Sequence, residues 1–101
     1  MEINGRFYGF LWSIGAYCDY SDYVVSHGEV SVARANIEKA AIMSRAYCAV
    51  NGGDPLTVAE INTLPMYELD ALMAAVGEAE NAGNERTVES EEKKRKSEGR
   101  K

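Results

Sequence analysis

Apolar residues recur along most of this chain at the 3.6-residue spacing of helices, and only its opening stretch breaks that rhythm. That stretch, MEINGRFYGFLW, centres on Asn4-Gly5, a dipeptide suited to the type I′ turn, which needs positive φ at both central positions. The aromatic-rich run from Arg6 to Trp12 reads as a strand, so a small N-terminal hairpin is expected. A lone two-stranded hairpin is barely stable in water. Phe7, Phe10, Leu11 and Trp12 must therefore pack on a helix or on another chain.

Helical periodicity takes over at Ser13, a suitable N-cap for a helix running to about Val25. Ile14, Tyr17, Cys18, Ser21, Val24 and Val25 share its apolar face, Tyr17, Tyr20 and Tyr23 drift around it, and His27-Gly28 ends it. A longer helix is expected from about Ser31 to Val50. There Arg34, Glu38 and Arg45 fall within about 40° of one another and form a narrow solvated stripe. Val32, Ala33, Ile37, Ala40, Met43, Ala46, Tyr47, Cys48 and Val50 spread over the rest, so this helix should be central, packed on two sides or on one side plus a partner. NGGD at 51–54 breaks it. In LTVAEINTLP, Thr57 and Glu60 form a capping box, and Leu56 and Ile61 the matching hydrophobic staple. Pro65 closes that short helix and opens the last one, whose inner face carries Met66, Leu69, Met73 and Val76 with Leu72 beside them. Gly77 weakens its interior by about 1 kcal/mol relative to alanine, and it should fray through EAENAGN. The expected fold class is mainly α: a small helical domain over residues 1–84 with a short N-terminal β-hairpin and a disordered, charged tail over residues 85–101.

Charge divides the chain at the same place. Residues 1–84 hold four bases against eleven acids, a net charge of −7, whereas residues 85–101 hold seven bases against five acids, a net charge of +2. An acidic body repels phosphate and makes a poor nucleic-acid surface. The basic cluster Lys93-Lys94-Arg95-Lys96 could touch RNA, DNA or an acidic protein, but reads first as a solvated tail that cannot bury enough apolar surface to order itself. No apolar stretch approaches the roughly 20 residues of a membrane helix, and Met1–Gly5 has neither the basic region nor the following apolar run of a signal peptide. The two cysteines, Cys18 and Cys48, are expected as reduced, buried thiols on apolar helix faces in the cytosol, although one disulfide is formally possible.

No constellation for chemistry converges. His27, the single histidine, is expected in a solvated loop, with no nucleophile paired to it. Asp19 and Asp22 share a helix face with nothing directed at them, so a solvated face is the reading. NGGD follows a helix and lacks the lysine of a phosphate loop. Without CxxC or a Cys/His cluster, a zinc site is not expected. No catalytic residue, metal ligand or cofactor site is therefore assigned. Met43, Met66 and Met73 read as core filling. A protein-binding surface, if present, should be sought among Tyr8, Phe10, Trp12, Tyr17, Tyr20 and Tyr23, because amphipathic aromatics suit interfaces.

Four segments carry a resemblance: MEINGRFY, ARANIEKAAIMSRAY, NGGDPLTVAEINTLPMYELDALMAAV and ERTVESEEKKRK. In these the chain resembles the tail assembly chaperones of long-tailed bacteriophages and prophages, along nearly its whole length, through packing and turn motifs. The resemblance implies a small, mostly helical, non-enzymatic protein without cofactors. It also implies location in the cytoplasm of the infected bacterium and absence from the mature virion. The implied partner is the tape measure protein, a long aggregation-prone helical chain kept soluble until tail tube subunits polymerise around it. A longer form, made by ribosomal frameshifting, would recruit tail tube protein. Glu92-Lys93-Lys94 can be encoded by GAA-AAA-AAG, which contains a slippery run. Self-association is open, and membrane or nucleic-acid partners are not expected. The alternatives are a head–tail joining or other morphogenesis protein retained in the virion, and a small nucleic-acid-binding regulator using the basic tail.

Overall fold

A computed structural model describes residues 1–85 of the chain, and 68% of them are helical. Strands β1 (Glu2–Ile3) and β2 (Arg6–Phe7) form the antiparallel hairpin, with Glu2 opposite Phe7 and Ile3 opposite Arg6. Helices α1 (Ile14–His27), α2 (Val32–Asn51), α3 (Val58–Asn62) and α4 (Leu69–Asn84) follow, with a single 3₁₀ turn at Met66–Glu68 leading into α4. The fold is mainly α, with the hairpin at its N-terminal end, as the pattern indicates. The charged segment from Arg86 onward, including Lys93–Lys96, lies outside the described residues.

The hairpin turns at Asn4 and Gly5 with φ of 51° and 79°, the signs a type I′ turn demands. Pairing stops at Phe7, well short of the strand expected to reach Trp12. The reason is docking: the Leu11 N–H donates to the Met43 carbonyl of α2 at 3.0 Å, so the backbone leaves the two-stranded ladder for the helix. Gly9 makes this approach possible. A Cβ there would run into the ring of Tyr47, which lies against the glycine. Ile3 and Tyr8, rather than Phe7, carry the hairpin's buried apolar surface, while Phe7 meets Tyr47 edge-on at 6.4 Å and stays largely exposed.

Helix α2 is the scaffold. Five consecutive residues, Ala40 to Ser44, are buried, which requires cover on every side of that turn. The segment Gly9–Trp12, α1, α3 and α4 supply it. Alanines at 40 and 41 let the neighbouring backbones come close, and Met43 fills the centre with no solvent exposure. Between α2 and α3 the chain is pinned by a buried polar contact, in which the Leu56 N–H donates to Ser44 Oγ at 2.8 Å.

The capping box of α3 is complete. Glu60 N–H donates to Thr57 Oγ1 at 3.1 Å and Thr57 N–H donates to Glu60 Oε1 at 3.3 Å, while Leu56 and Ile61 are buried as the staple. Thr57→Ala should therefore destabilise the protein by about 0.5–2 kcal/mol. Urea unfolding followed by circular dichroism measures it, and a loss under about 0.3 kcal/mol would mean that tertiary packing alone holds this five-residue helix.

Three expectations for the helices need correction. Helix α1 runs to His27, so the histidine closes the helix instead of lying in a loop. Met66 sits in the 3₁₀ turn, outside the periodicity of α4, and is 78% exposed instead of facing the core with Leu72 and Val76. The end of α4 stays helical to Asn84 instead of fraying through 78–84, because Gly83 lies against the backbone of Trp12 and the Trp12 indole N–H donates to Asn84 Oδ1 at 3.0 Å.

Candidate functional site

Trp12 is where three helices meet. Its ring stands edge-on to Tyr17 at 6.1 Å and to Tyr20 at 6.3 Å, both on α1. The ammonium of Lys39, on α2, lies 5.2 Å from the Trp12 ring centre and 4.9 Å from that of Tyr20. From α4, Glu80 receives the same ammonium with both carboxylate oxygens at 2.9 Å. The lysine side chain is only 16% exposed and the glutamate 30%, so the pair is shielded from solvent more than an ordinary surface bridge. This cluster already holds a cation. Its chemistry is that of a fastener joining α1, α2 and α4, in which the ammonium and the carboxylate are engaged with each other.

The periodicity of α2 contained a signal for this lysine. Arg34, Glu38 and Arg45 define the polar stripe, and Lys39 falls about 120° away at 100° per residue, among the apolar positions. A long cation on an apolar face implies a carboxylate or aromatic partner, and here it has both.

The largest departure from expectation is the orientation of α1. Its core-facing side is Ala16, Tyr20 and Tyr23, with Ala16 fully buried and the tyrosines half-buried. The face read as apolar from the pattern, Ile14, Tyr17, Cys18, Ser21, Val24 and Val25, points outward along the helix. Ile14 is 84%, Tyr17 60% and Val25 80% exposed. Asp22 borders this strip, one turn from Cys18 and Val25, Asp19 lies between Asp22 and the core side, and both are exposed. Of the aromatics singled out as candidate contacts, Tyr8 is core, Phe10, Trp12, Tyr20 and Tyr23 are half-buried, and only Tyr17 faces out. Cys18 is exposed and Cys48 half-buried, and both are free thiols, so the expectation of two buried thiols fails because Cys18 belongs to the outward strip.

Two of the surface concavities bear on a binding role. A groove of about 150 Å³ between α2, α3 and the start of α4 is lined mainly by Ile37, Ile61, Leu64, Pro65, Leu69 and Leu72. A more open cleft of about 360 Å³ lies beside Phe7, Phe10, Tyr47 and Ala79. Neither gathers an acid, base and nucleophile. Arg6 pairs with Asp54 at 3.0 Å, and that hydrogen bond, helped by the charges around it, raises the guanidinium's pKa further. The His27 ring lies against Tyr23, its Nδ1 3.0 Å from the Tyr23 carbonyl, and is directed at no acid or nucleophile other than Ser26, its neighbour in the chain. Among the described residues no group of three or more His, Cys, Asp or Glu side chains is placed to hold a metal ion. Nor is any helix among them long and apolar enough to cross a membrane.

Set against protein-family models, curated proteins and solved structures, the chain matches none of them.

Proposed function

We propose that this protein is a phage tail assembly chaperone that binds the tape measure protein and keeps it soluble during tail assembly, by contact alone. The observation that carries the reading is the uncovered apolar face of α1 on an otherwise acidic helical body. A helix that turns an apolar strip to solvent is suited to cover apolar helix surface on another chain, and net negative charge keeps such a complex dispersed. The resemblance of the four sequence segments to tail assembly chaperones names the partner. On the same reading, the protein works in the cytoplasm of the infected bacterium and is absent from the finished particle. The charged segment at 85–101 links this unit to a tail-tube-binding extension in a frameshifted longer form.

The test is co-expression with the long tail gene of the same phage, followed by a pull-down and a solubility assay. Soluble tape measure protein should rise several-fold and co-purify with the chain. An unchanged soluble fraction without co-purification refutes the proposal. Mass spectrometry of purified particles separates it from the head–tail joining alternative, since a joining protein stays in the virion.

A further inference from the structure

Helix α1 has three faces, not two. At 100° per residue, Ala16, Tyr20 and Tyr23 cluster on the side packed inward, and His27 follows them, exposed, at the helix end. Ile14, Tyr17, Cys18, Ser21, Val24 and Val25 span an arc of about 120° on the outside. Gly15, Asp19, Asp22 and Ser26 fill the arc between them, all exposed. The outward strip therefore has one acidic edge and one edge that runs into the core. Among the described residues neither Asp19 nor Asp22 is in an ion pair, and α1 carries no lysine or arginine.

We infer that the outward face of α1 is a docking strip for a helix of another polypeptide whose own apolar stripe is edged by lysine or arginine. The inference deepens the chaperone reading and rests on it only for the premise that the partner is a helical protein. Charge complementarity selects this occupant. An incoming helix laid along Ile14, Tyr17 and Val25 sets one of its flanks beside Asp22, one turn from Cys18 and Val25, where a cation is attracted and an acid repelled, and the net charge of −7 over residues 1–84 acts in the same sense. A second copy of the chain fits badly. Asp22 lies near the middle of the 14-residue helix, so an antiparallel two-fold pairing of strips brings it close to its own counterpart, two carboxylates on one edge between two acidic bodies. The strip is also small. A helix of this length is about 21 Å long and about 10 Å wide, well under the roughly 800 Å² per partner of a stable interface. Reversible capture of a single amphipathic helix matches that size.

Two helix-stapled peptides of about four turns, with the same leucine stripe and no tryptophan, provide the test on the full-length chain. One has lysines along the stripe edge and the other glutamates. Trp12, the only tryptophan, touches Tyr17 of the strip and reports binding by its emission, with calorimetry giving Kd. The lysine-edged peptide should bind about fivefold tighter at low salt, the equivalent of one surface charge pair, and the gap should narrow as salt rises. Asp22→Lys should reverse the preference, whereas Asp19→Lys, on the other side of the helix, should leave it nearly intact. Ile14→Gln with Val25→Gln should weaken both peptides by about tenfold or more while leaving the melting temperature and helical circular dichroism unchanged.

Equal affinity for the two peptides, binding to neither, or full binding by the glutamine variant would overturn the inference. So would a concentration-dependent dimer that Val25→Gln abolishes, which would make the occupant a second copy. Binding seen only after removal of residues 86–101 would assign the strip to the chain's own basic segment. Peptide capture without tape measure solubilisation leaves the strip standing and removes the chaperone reading, and solubilisation by the glutamine variant does the converse.

Discussion

Replacing Met43 by alanine should lower the melting temperature by about 10–30 °C. Met43 is completely buried, at the one turn of α2 covered on all sides. Truncating a buried methionine to alanine costs about 2–5 kcal/mol, because the lost apolar contact is joined by a cavity the surroundings only partly fill. In a domain of this size each kcal/mol moves the midpoint by about 4–8 °C. The total stability of such a unit is only about 4–13 kcal/mol at the usual 0.05–0.15 kcal/mol per residue, so the variant stands near the edge of unfolding at 37 °C. Differential scanning calorimetry is the measurement. Val32→Ala, at an exposed position near the start of the same helix, is the control and should stay within about 0.5 kcal/mol of the parent. A Met43→Ala midpoint within about 5 °C of the parent, less than about 1 kcal/mol, would mean that α2 is not the packed centre described above.

Ser44→Ala is expected to cost about 1–3 kcal/mol although it removes a single oxygen. Ser44 is buried, and its hydroxyl accepts the Leu56 N–H in a site closed to water. Without that oxygen the amide keeps its desolvation penalty and loses its partner. The effect should be local as well as global. Amide exchange at Leu56 should accelerate more than exchange within α2, because Leu56 begins the staple that seats α3. If the two exchange rates change together, the hydroxyl is not a specific latch for the 52–56 connection.

How much of this was legible in the chain depended on how local the determining contact was. The Asn4-Gly5 turn, the Thr57–Glu60 box and the Leu56–Ile61 staple are set within a few residues, and each stands where the pattern placed it. The central position of α2 followed from its nearly all-round apolar surface. The orientation of α1 did not, because the helix offers two faces that could go inside. Ile14, Val24 and Val25 make the more hydrophobic one. The other, Ala16 with Tyr20 and Tyr23, prevails through contacts made outside the helix: Lys39 above Tyr20, Trp12 edge-on to it, and close helix approach at the small Ala16. Periodicity ranks the hydrophobicity of faces and cannot weigh a cation held between two rings. Gly9 was silent for a similar reason, since its need for a missing side chain comes from the ring of Tyr47 on another element. The candidate docking strip was thus written in the sequence residue by residue, while the side of the protein it faces was not.

The bond from Trp12 to Asn84 spans 72 positions of the chain, and Lys39 waits 41 positions for Glu80. A ribosome adds about 5–20 residues per second, so Trp12 precedes Asn84 by roughly 4–14 s and Lys39 precedes Glu80 by roughly 2–8 s. Helical units of this kind close in microseconds to milliseconds, so translation, not folding, sets the delay. During the second interval the lysine has been made and its countercharge has not. The last helix to emerge is the one that shuts it.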